Sequence, residues 1–145
     1  MNYSIVSPKK KEEFNQYYYF RWEYLRKALG KQLGTERDDI EDLSIHRMVL
    51  NEKKQIIAVG RVHHNTAIES QVRYFAVDKK YRRQGIGSYL MQDLESIALR
   101  ENRQIMILNA RENALSFYEI LGYEILKKTN LLFGKIQHYE MKKVL

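Results

Sequence analysis

The chain of 145 residues contains no cysteine at all. Disulfides, thiolate metal sites and a cysteine nucleophile are excluded at once. Chain breakers are scarce, with one proline and seven glycines, while apolar residues make up 44 % and charged residues 30 %. That balance is the profile of an ordered globular domain rather than a disordered one. No apolar run approaches the roughly 18 residues that a membrane-spanning helix needs. The opening residues Met1-Asn2-Tyr3-Ser4-Ile5-Val6-Ser7-Pro8 lack the basic segment and apolar stretch of a signal peptide. A soluble, cytoplasmic protein without membrane association is expected, folded as a single domain over residues 1–145. His63-His64, His46 and His138 have no partner carboxylate at ligand spacing, so no metal is expected.

What is present is positive charge, a formal +7. A basic field suits nucleic acid, an anionic membrane surface or a phosphorylated ligand. The lysines and arginines are scattered, and no helix-turn-helix, zinc-finger or RNP pattern accompanies them, which argues against nucleic acid. A phosphate-rich small ligand is the better-supported anion.

Hydrophobic periodicity divides the chain without linker or repeat. Tyr3 to Val6 reads as a short strand, and Pro8 opens a helix whose Phe14, Tyr17, Tyr18, Trp22, Leu25 and Leu29 recur at helical spacing. Gly30 and Gly34 end it, and Thr35 to Asp42 is a loop or a short helix. Ser44 to Leu50, Gln55 to His63 and Glu69 to Val77 read as three strands of an antiparallel meander. A helix begins near Gly85 with Ile86, Leu90, Leu94, Ile97 and Ala98 on one face, followed by the strand Gln104 to Leu108. This β-α-β crossover makes the strands on either side of the helix parallel. A helix from Arg111 to Leu121 and two closing strands, Tyr123 to Leu126 and Ile136 to Met141, complete the chain. The order predicts an α/β (α+β) fold, a mixed twisted central sheet of about six to seven strands with helices on both faces.

The segment Arg82-Arg83-Gln84-Gly85-Ile86-Gly87-Ser88 lies between a strand and an amphipathic helix, so its backbone N–H groups sit at a helix N-terminus. Unpaired amides and the positive end of the helix dipole favour a phosphate there. A β-carbon at either glycine would hinder a pyrophosphate from approaching the backbone, and the two arginines add charge-assisted bonds. No Gly-Lys-Ser/Thr follows, as a Walker loop requires, and Leu90 stands where a Rossmann fingerprint has its third glycine.

Val77-Asp78-Lys79-Lys80-Tyr81-Arg82-Arg83-Gln84-Gly85-Ile86-Gly87 resembles the acyl-CoA pyrophosphate loop of the GNAT (Gcn5-related N-acetyltransferase) superfamily. Leu108-Asn109-Ala110-Arg111 and Phe117-Tyr118-Glu119-Ile120-Leu121-Gly122-Tyr123 resemble the strand and helix that follow it. The resemblance implies acetyl-CoA, or another acyl-CoA, as co-substrate, with pantetheine inserted beside a splayed strand and bonded to the backbone of Phe75, Ala76 and Val77. It implies direct attack of an amine on the thioester, with Tyr118 protonating the departing thiolate. Where many members have an asparagine seven residues before that tyrosine, this chain has Arg111, and Asn109 is an alternative polar contact. Glu69 and His63 are the candidate bases. Arg21, Trp22 and Arg26 are candidates for the acceptor pocket, the acceptor being an amine on a small molecule, peptide or protein. The stretch Phe20 to Lys27 with Glu36-Arg37-Asp38 resembles a GNAT branch sometimes fused to a thioesterase domain, which adds acyl transfer to or from acyl-carrier protein as an alternative. A non-catalytic acyl-CoA sensor is a second alternative, and a homodimer is a permitted assembly.

Overall fold

The first helix is started by its own third residue. Glu13 Oε1 accepts the backbone N–H groups of Lys9 and Lys10 at 3.0 and 2.8 Å, satisfying donors just before the helical ladder begins. In the computed structural model, which describes residues 2–145, this helix α1 spans Lys11–Leu25. Met1, the first residue of the expected domain, lies outside the described residues. The remaining elements are β1 (Ser4–Val6), β2 (Ile45–Leu50), β3 (Ile56–His64), β4 (Glu69–Val77), α2 (Ile86–Arg100), β5 (Ile105–Arg111), α3 (Leu115–Ile120), β6 (Glu124–Leu132) and β7 (Ile136–Val144). The strands form one mixed seven-stranded sheet in the order β1-β2-β3-β4-β5-β7-β6. Two compact units make up the chain, one running to His63 and resuming over Tyr74–Leu94, the other comprising His64–Arg73 and Glu95–Leu145.

In the first unit, β1 and β2 pair antiparallel from Ser4↔Leu50 to Val6↔Met48, and β2 and β3 from Ile45↔Val62 to Leu50↔Ile56. The helical spacing of α1 turns Tyr17 and Phe20 onto Met48, Val59 and Ala76, the heart of this unit's core. Helix α2 lies close over β3 because residue 60 is glycine. A β-carbon there would stand 2.9 Å from Leu94 Cδ1 and 3.2 Å from Phe75 Cδ2, and Leu94 is itself fully buried, so it has no space to yield. Arg47 of β2 also grips α2, with Nε and Nη2 on the two carboxylate oxygens of Asp93 at 2.8 and 3.1 Å.

In the second unit, Glu69–Val72 of β4 run parallel to Ile105–Leu108 of β5, as the crossover reading expects. β5 then pairs antiparallel with β7 from Ile105↔Val144 through Arg111↔His138. Glu95, in the part of α2 that belongs to this unit, accepts the Tyr123 hydroxyl at 2.8 Å and Lys143 Nζ at 2.9 Å.

Two expectations are corrected. The helix expected from Arg111 is shorter: Arg111 closes β5, a single 3-10 turn covers Glu112–Ala114, and α3 begins only at Leu115. The pairing of Asn109, Ala110 and Arg111 with Glu140, Tyr139 and His138 keeps the backbone extended that far. The closing strands run longer than expected, since β6 continues through Lys127-Lys128-Thr129-Asn130. β6 is an edge strand exposed along nearly its whole length, so it needs no apolar alternation to form. No helix among the described residues is long and apolar enough to cross a membrane.

Gly60→Val is expected to destabilise the protein by about 1–3 kcal/mol through overpacking against Leu94 and Phe75. Urea unfolding followed by circular dichroism, with an unchanged dependence on denaturant, checks this; wild-type stability would mean that α2 does not rest on β3 as described.

Candidate functional site

The turn after β4 is built by a chain of local bonds. Asp78 N–H donates to Ile57 O at 2.8 Å, and Asp78 Oδ1 accepts Lys80 N–H at 2.9 Å, folding Lys79–Tyr81 into a 3-10 turn. Tyr81 is fixed by a hydrogen bond from Asn51 Nδ2 at 3.1 Å and by the edge of Tyr3, and Gln84 bonds to both the Tyr3 hydroxyl and Lys80 O. The chain then reverses through two left-handed residues, Arg83 at φ 62° and Gly85 at φ 82°. Gly85 needs that freedom, and a β-carbon on it would meet nothing within 4 Å, so the space in front of the backbone is open. The first helical bond of α2 is Tyr89 N–H to Gly85 O at 3.0 Å. The amides of Ile86, Gly87 and Ser88 therefore have no acceptor within the helix. Ile86 is buried and anchors this end, while Arg82, Arg83, Gln84 and Gly85 are exposed and Gly87 and Ser88 half-exposed. Two exposed arginines, open backbone and a helix N-terminus thus follow one another along the chain, a combination whose donors suit an anion.

Just upstream, Phe75 and Val77 are half-buried and Ala76 is buried, preceded by one left-handed residue within the strand. Tyr74 has φ 56° in the middle of β4. Its buried ring lies under the guanidinium of Arg21 at 4.2 Å, with Arg61 at 5.0 Å and Arg26 at 5.7 Å.

Of the residues expected at the acceptor pocket, Arg21 and Arg26 are buried and Trp22 is half-buried. Arg21 has 0 % exposure and donates to Glu41 Oε2 at 2.8 Å, Glu36 O at 3.1 Å and the Tyr17 hydroxyl at 2.9 Å. Arg26 is buried and bonds Thr35 O and Leu25 O, while Trp22 Nε1 donates to Lys31 O at 2.9 Å. All three tie α1 to the segment 31–43. Arg61, also at 0 % exposure, makes a two-pronged ion pair with Asp38 at 2.7 and 2.9 Å and reaches Glu41 Oε2 at 3.0 Å. His46 Nε2 faces Glu41 O at 2.8 Å; a carbonyl only accepts, so Nε2 carries the proton and Nδ1 takes one from the Tyr17 hydroxyl at 2.9 Å. Burial holds His46 below its ordinary pKa and pushes the Tyr17 phenol up to about 12, which keeps both neutral.

The signal for this network was a lone arginine in an otherwise apolar strand, Ile56-Ile57-Ala58-Val59-Gly60-Arg61-Val62, together with the acidic run Glu36 to Asp42. A buried strand arginine demands buried carboxylates. The positive φ at Tyr74 left no such mark, since nothing in Val72-Arg73-Tyr74-Phe75 suggests a left-handed residue.

In the second unit, Tyr118 of α3 is 8 % exposed, packed edge-on against Phe117 and Tyr123 at centroid distances of 4.9 and 6.0 Å. Burial raises its pKa well above that of a free phenol, so it stays protonated at any physiological pH. Burial lowers the pKa of Arg111, opposed in part by its attraction to the Tyr118 oxygen. Because Arg111 ends a strand, its relation to Tyr118 is not the seven-residue repeat of one helix face. Asn109 is exposed two residues before it.

The two candidate bases fall in different units. His63 is buried in the first, and its Nδ1 lies 3.3 Å from Arg61 Nη2; a guanidinium only donates, so that lone pair is taken. Glu69, in the second, is half-buried and accepts Asn65 Nδ2 on Oε2 at 3.0 Å. Among the described residues, no group of three or more histidines and carboxylates is placed to hold a metal ion.

Known proteins resemble this chain in sequence and in fold. A family profile described as an acetyltransferase (GNAT) domain matches residues 9–145. An uncharacterized N-acetyltransferase of Bacillus subtilis, YjcF, is 30 % identical over 138 residues, covering 95 % of this chain and 97 % of its own. A candidate N-acetyltransferase from Lactobacillus plantarum superposes with a TM-score of 0.86 at 18 % identity, covering 100 % of this chain and 99 % of that one. A GNAT family acetyltransferase from Elizabethkingia anophelis, solved with acetyl-CoA bound, superposes with a TM-score of 0.76 at 13 % identity over 99 % of both chains. Carried by the profile match over nearly its whole length, the chain belongs to the GNAT acetyltransferase family.

Proposed function

We propose that this protein transfers an acetyl group from acetyl-CoA to an amine on a small molecule, peptide or protein. The observation that carries the reading is the open helix N-terminus at Gly85–Ser88 with Arg82 and Arg83 before it, whose donors fit a pyrophosphate. The backbone of Phe75–Val77 takes the pantetheine arm. Asn109 and Arg111, at the end of β5, add polar contacts. When bound, the thioester supplies the activated acyl group.

The chain's own groups then manage protons and charge. Tyr118 holds a proton at its Oη for the departing sulfur, and its burial keeps that proton in place at neutral and mildly alkaline pH. The neighbouring Arg111 guanidinium favours negative charge on either oxygen or sulfur there. Of the two residues considered for the amine's proton, Glu69 is the better acceptor, because the Nδ1 lone pair of His63 is engaged by Arg61. The cytoplasm, where acyl-CoA thioesters are plentiful, is the compartment this reading assigns.

The double replacement of Arg82 and Arg83 by alanine is expected to weaken acetyl-CoA binding by about tenfold or more, as loss of two charge-assisted phosphate contacts should. Titration calorimetry measures it, and unchanged affinity would remove the phosphate role of this loop. In Tyr118→Phe, which keeps the ring, acetyl-CoA affinity is expected to stay near wild type while kcat falls about 10²-fold. Steady-state kinetics with an amine found by a free-thiol screen provides the comparison; full kcat with chemistry shown to limit the rate would make Tyr118 a packing residue. A wild-type protein that binds acetyl-CoA yet acetylates no amine would favour sensing over transfer.

A further inference from the structure

Tyr74 adopts a backbone conformation that an aromatic residue seldom takes. With φ at 56° in the interior of β4, it lies in the left-handed region where its β-carbon crowds the backbone, and such a residue persists only where its surroundings hold it. Those surroundings are specific. The Arg21 guanidinium carbon lies 4.2 Å from the centre of the Tyr74 ring, and Arg21 and Tyr74 are 0 % and 6 % exposed. The guanidinium is in turn immobilised by three acceptors, Glu41 Oε2, Glu36 O and the Tyr17 hydroxyl. Arg61 closes the frame, holding Asp38 with both terminal nitrogens and sharing Glu41 Oε2.

We infer that Arg21 is a positioning residue: stacked on Tyr74, its guanidinium holds the left-handed turn of β4 and so sets the direction of the Phe75–Val77 backbone that takes the acyl donor. This rests on the acyl-CoA reading above and goes beyond it, because it makes a buried arginine of α1, rather than the loop at Arg82–Gly87, a determinant of donor binding. The same guanidinium holds Glu36 and Glu41, so the segment 31–43 and the donor strand are fastened at one point. Lysine keeps the charge but offers neither the planar face nor the three-way fork.

The test uses the full chain, with folding of each variant confirmed by cooperative thermal unfolding. Arg21→Lys is expected to weaken acetyl-CoA binding at least tenfold by calorimetry. In the ligand-free protein it should also move the Tyr74 HN–Hα scalar coupling toward the value of an extended residue and shift the amide resonances of Phe75, Ala76 and Val77. Tyr74→Phe keeps the ring and should match wild type in affinity. Arg21→Lys combined with Tyr74→Gly should recover much of the lost affinity, since glycine occupies positive φ without help. A folded Arg21→Lys with wild-type affinity and coupling would overturn the inference, as would a Tyr74→Phe as impaired as Arg21→Lys, which would assign the effect to the hydroxyl. Should Arg21→Lys fail to fold, Tyr74→Leu removes the other half of the stack, and its unchanged affinity and amide resonances would equally overturn it. If wild type itself does not bind acetyl-CoA, the donor reading fails, while the scalar coupling still reports whether Arg21 sets the backbone at Tyr74.

Discussion

One carboxylate oxygen, Glu41 Oε2, receives two buried arginines from different elements, Arg21 of α1 and Arg61 of β3, and the backbone N–H of Asp38 as well. Much of the first unit hangs on this meeting point. Two guanidinium ions at 0 % exposure could not remain in a low-dielectric interior without carboxylates to face them. Glu41 and Asp38 supply that charge, and both come from a segment with little regular structure. The segment is thus ordered by ionic and hydrogen-bonding needs rather than by apolar burial. Three buried atoms of the cluster, Arg21 Nε, Arg61 Nε and Glu41 Oε1, have no hydrogen-bond partner. Removing one member would leave its partners as uncompensated charge in the interior, which is why a cluster of this kind holds geometry more firmly than it adds stability.

The electrostatics of the two units differ in kind. In the first, the surface at Arg82–Ser88 presents positive charge and open amides to solvent, a place for a charged group that arrives from outside. In the second, Tyr118 is buried and packed edge-on against two aromatic rings, and burial suppresses its ionisation. The exposed charge and the buried phenol lie in separate stretches of chain, one rich in glycine and arginine, the other in aromatic residues.

The element order was legible from periodicity, and the turn into α2 from its glycines before an apolar helical pattern, because both depend on local sequence. Family resemblance added Tyr118 and the acyl-CoA assignment, which no spacing rule supplies. What could not be read depends on contacts between distant residues. Arg21 looked like one of several basic residues on a helix, and only Glu36 and Glu41, 15 and 20 residues away, turn it inward. The helix at Arg111 was read too early because the ladder to β7, formed by residues near the end of the chain, decides where β5 stops. The extension of β6 through a polar run was hidden for the opposite reason: an exposed edge strand owes its shape to one neighbour's backbone and places no demand on its own side chains.

That edge strand carries a risk of its own. β6 ends the sheet order, and its backbone has a neighbour on one side only, while Ile125, Leu126 and Leu131 stand roughly half exposed. An uncovered strand of nine residues with such side chains is the kind of template on which chains stack into aggregates. Lys127 and Lys128 lie in its middle, where an incoming copy in register would set like charges against each other. The lysines that made this stretch unreadable as a strand thus put charge, the usual blunting device of an exposed edge, where such stacking would begin.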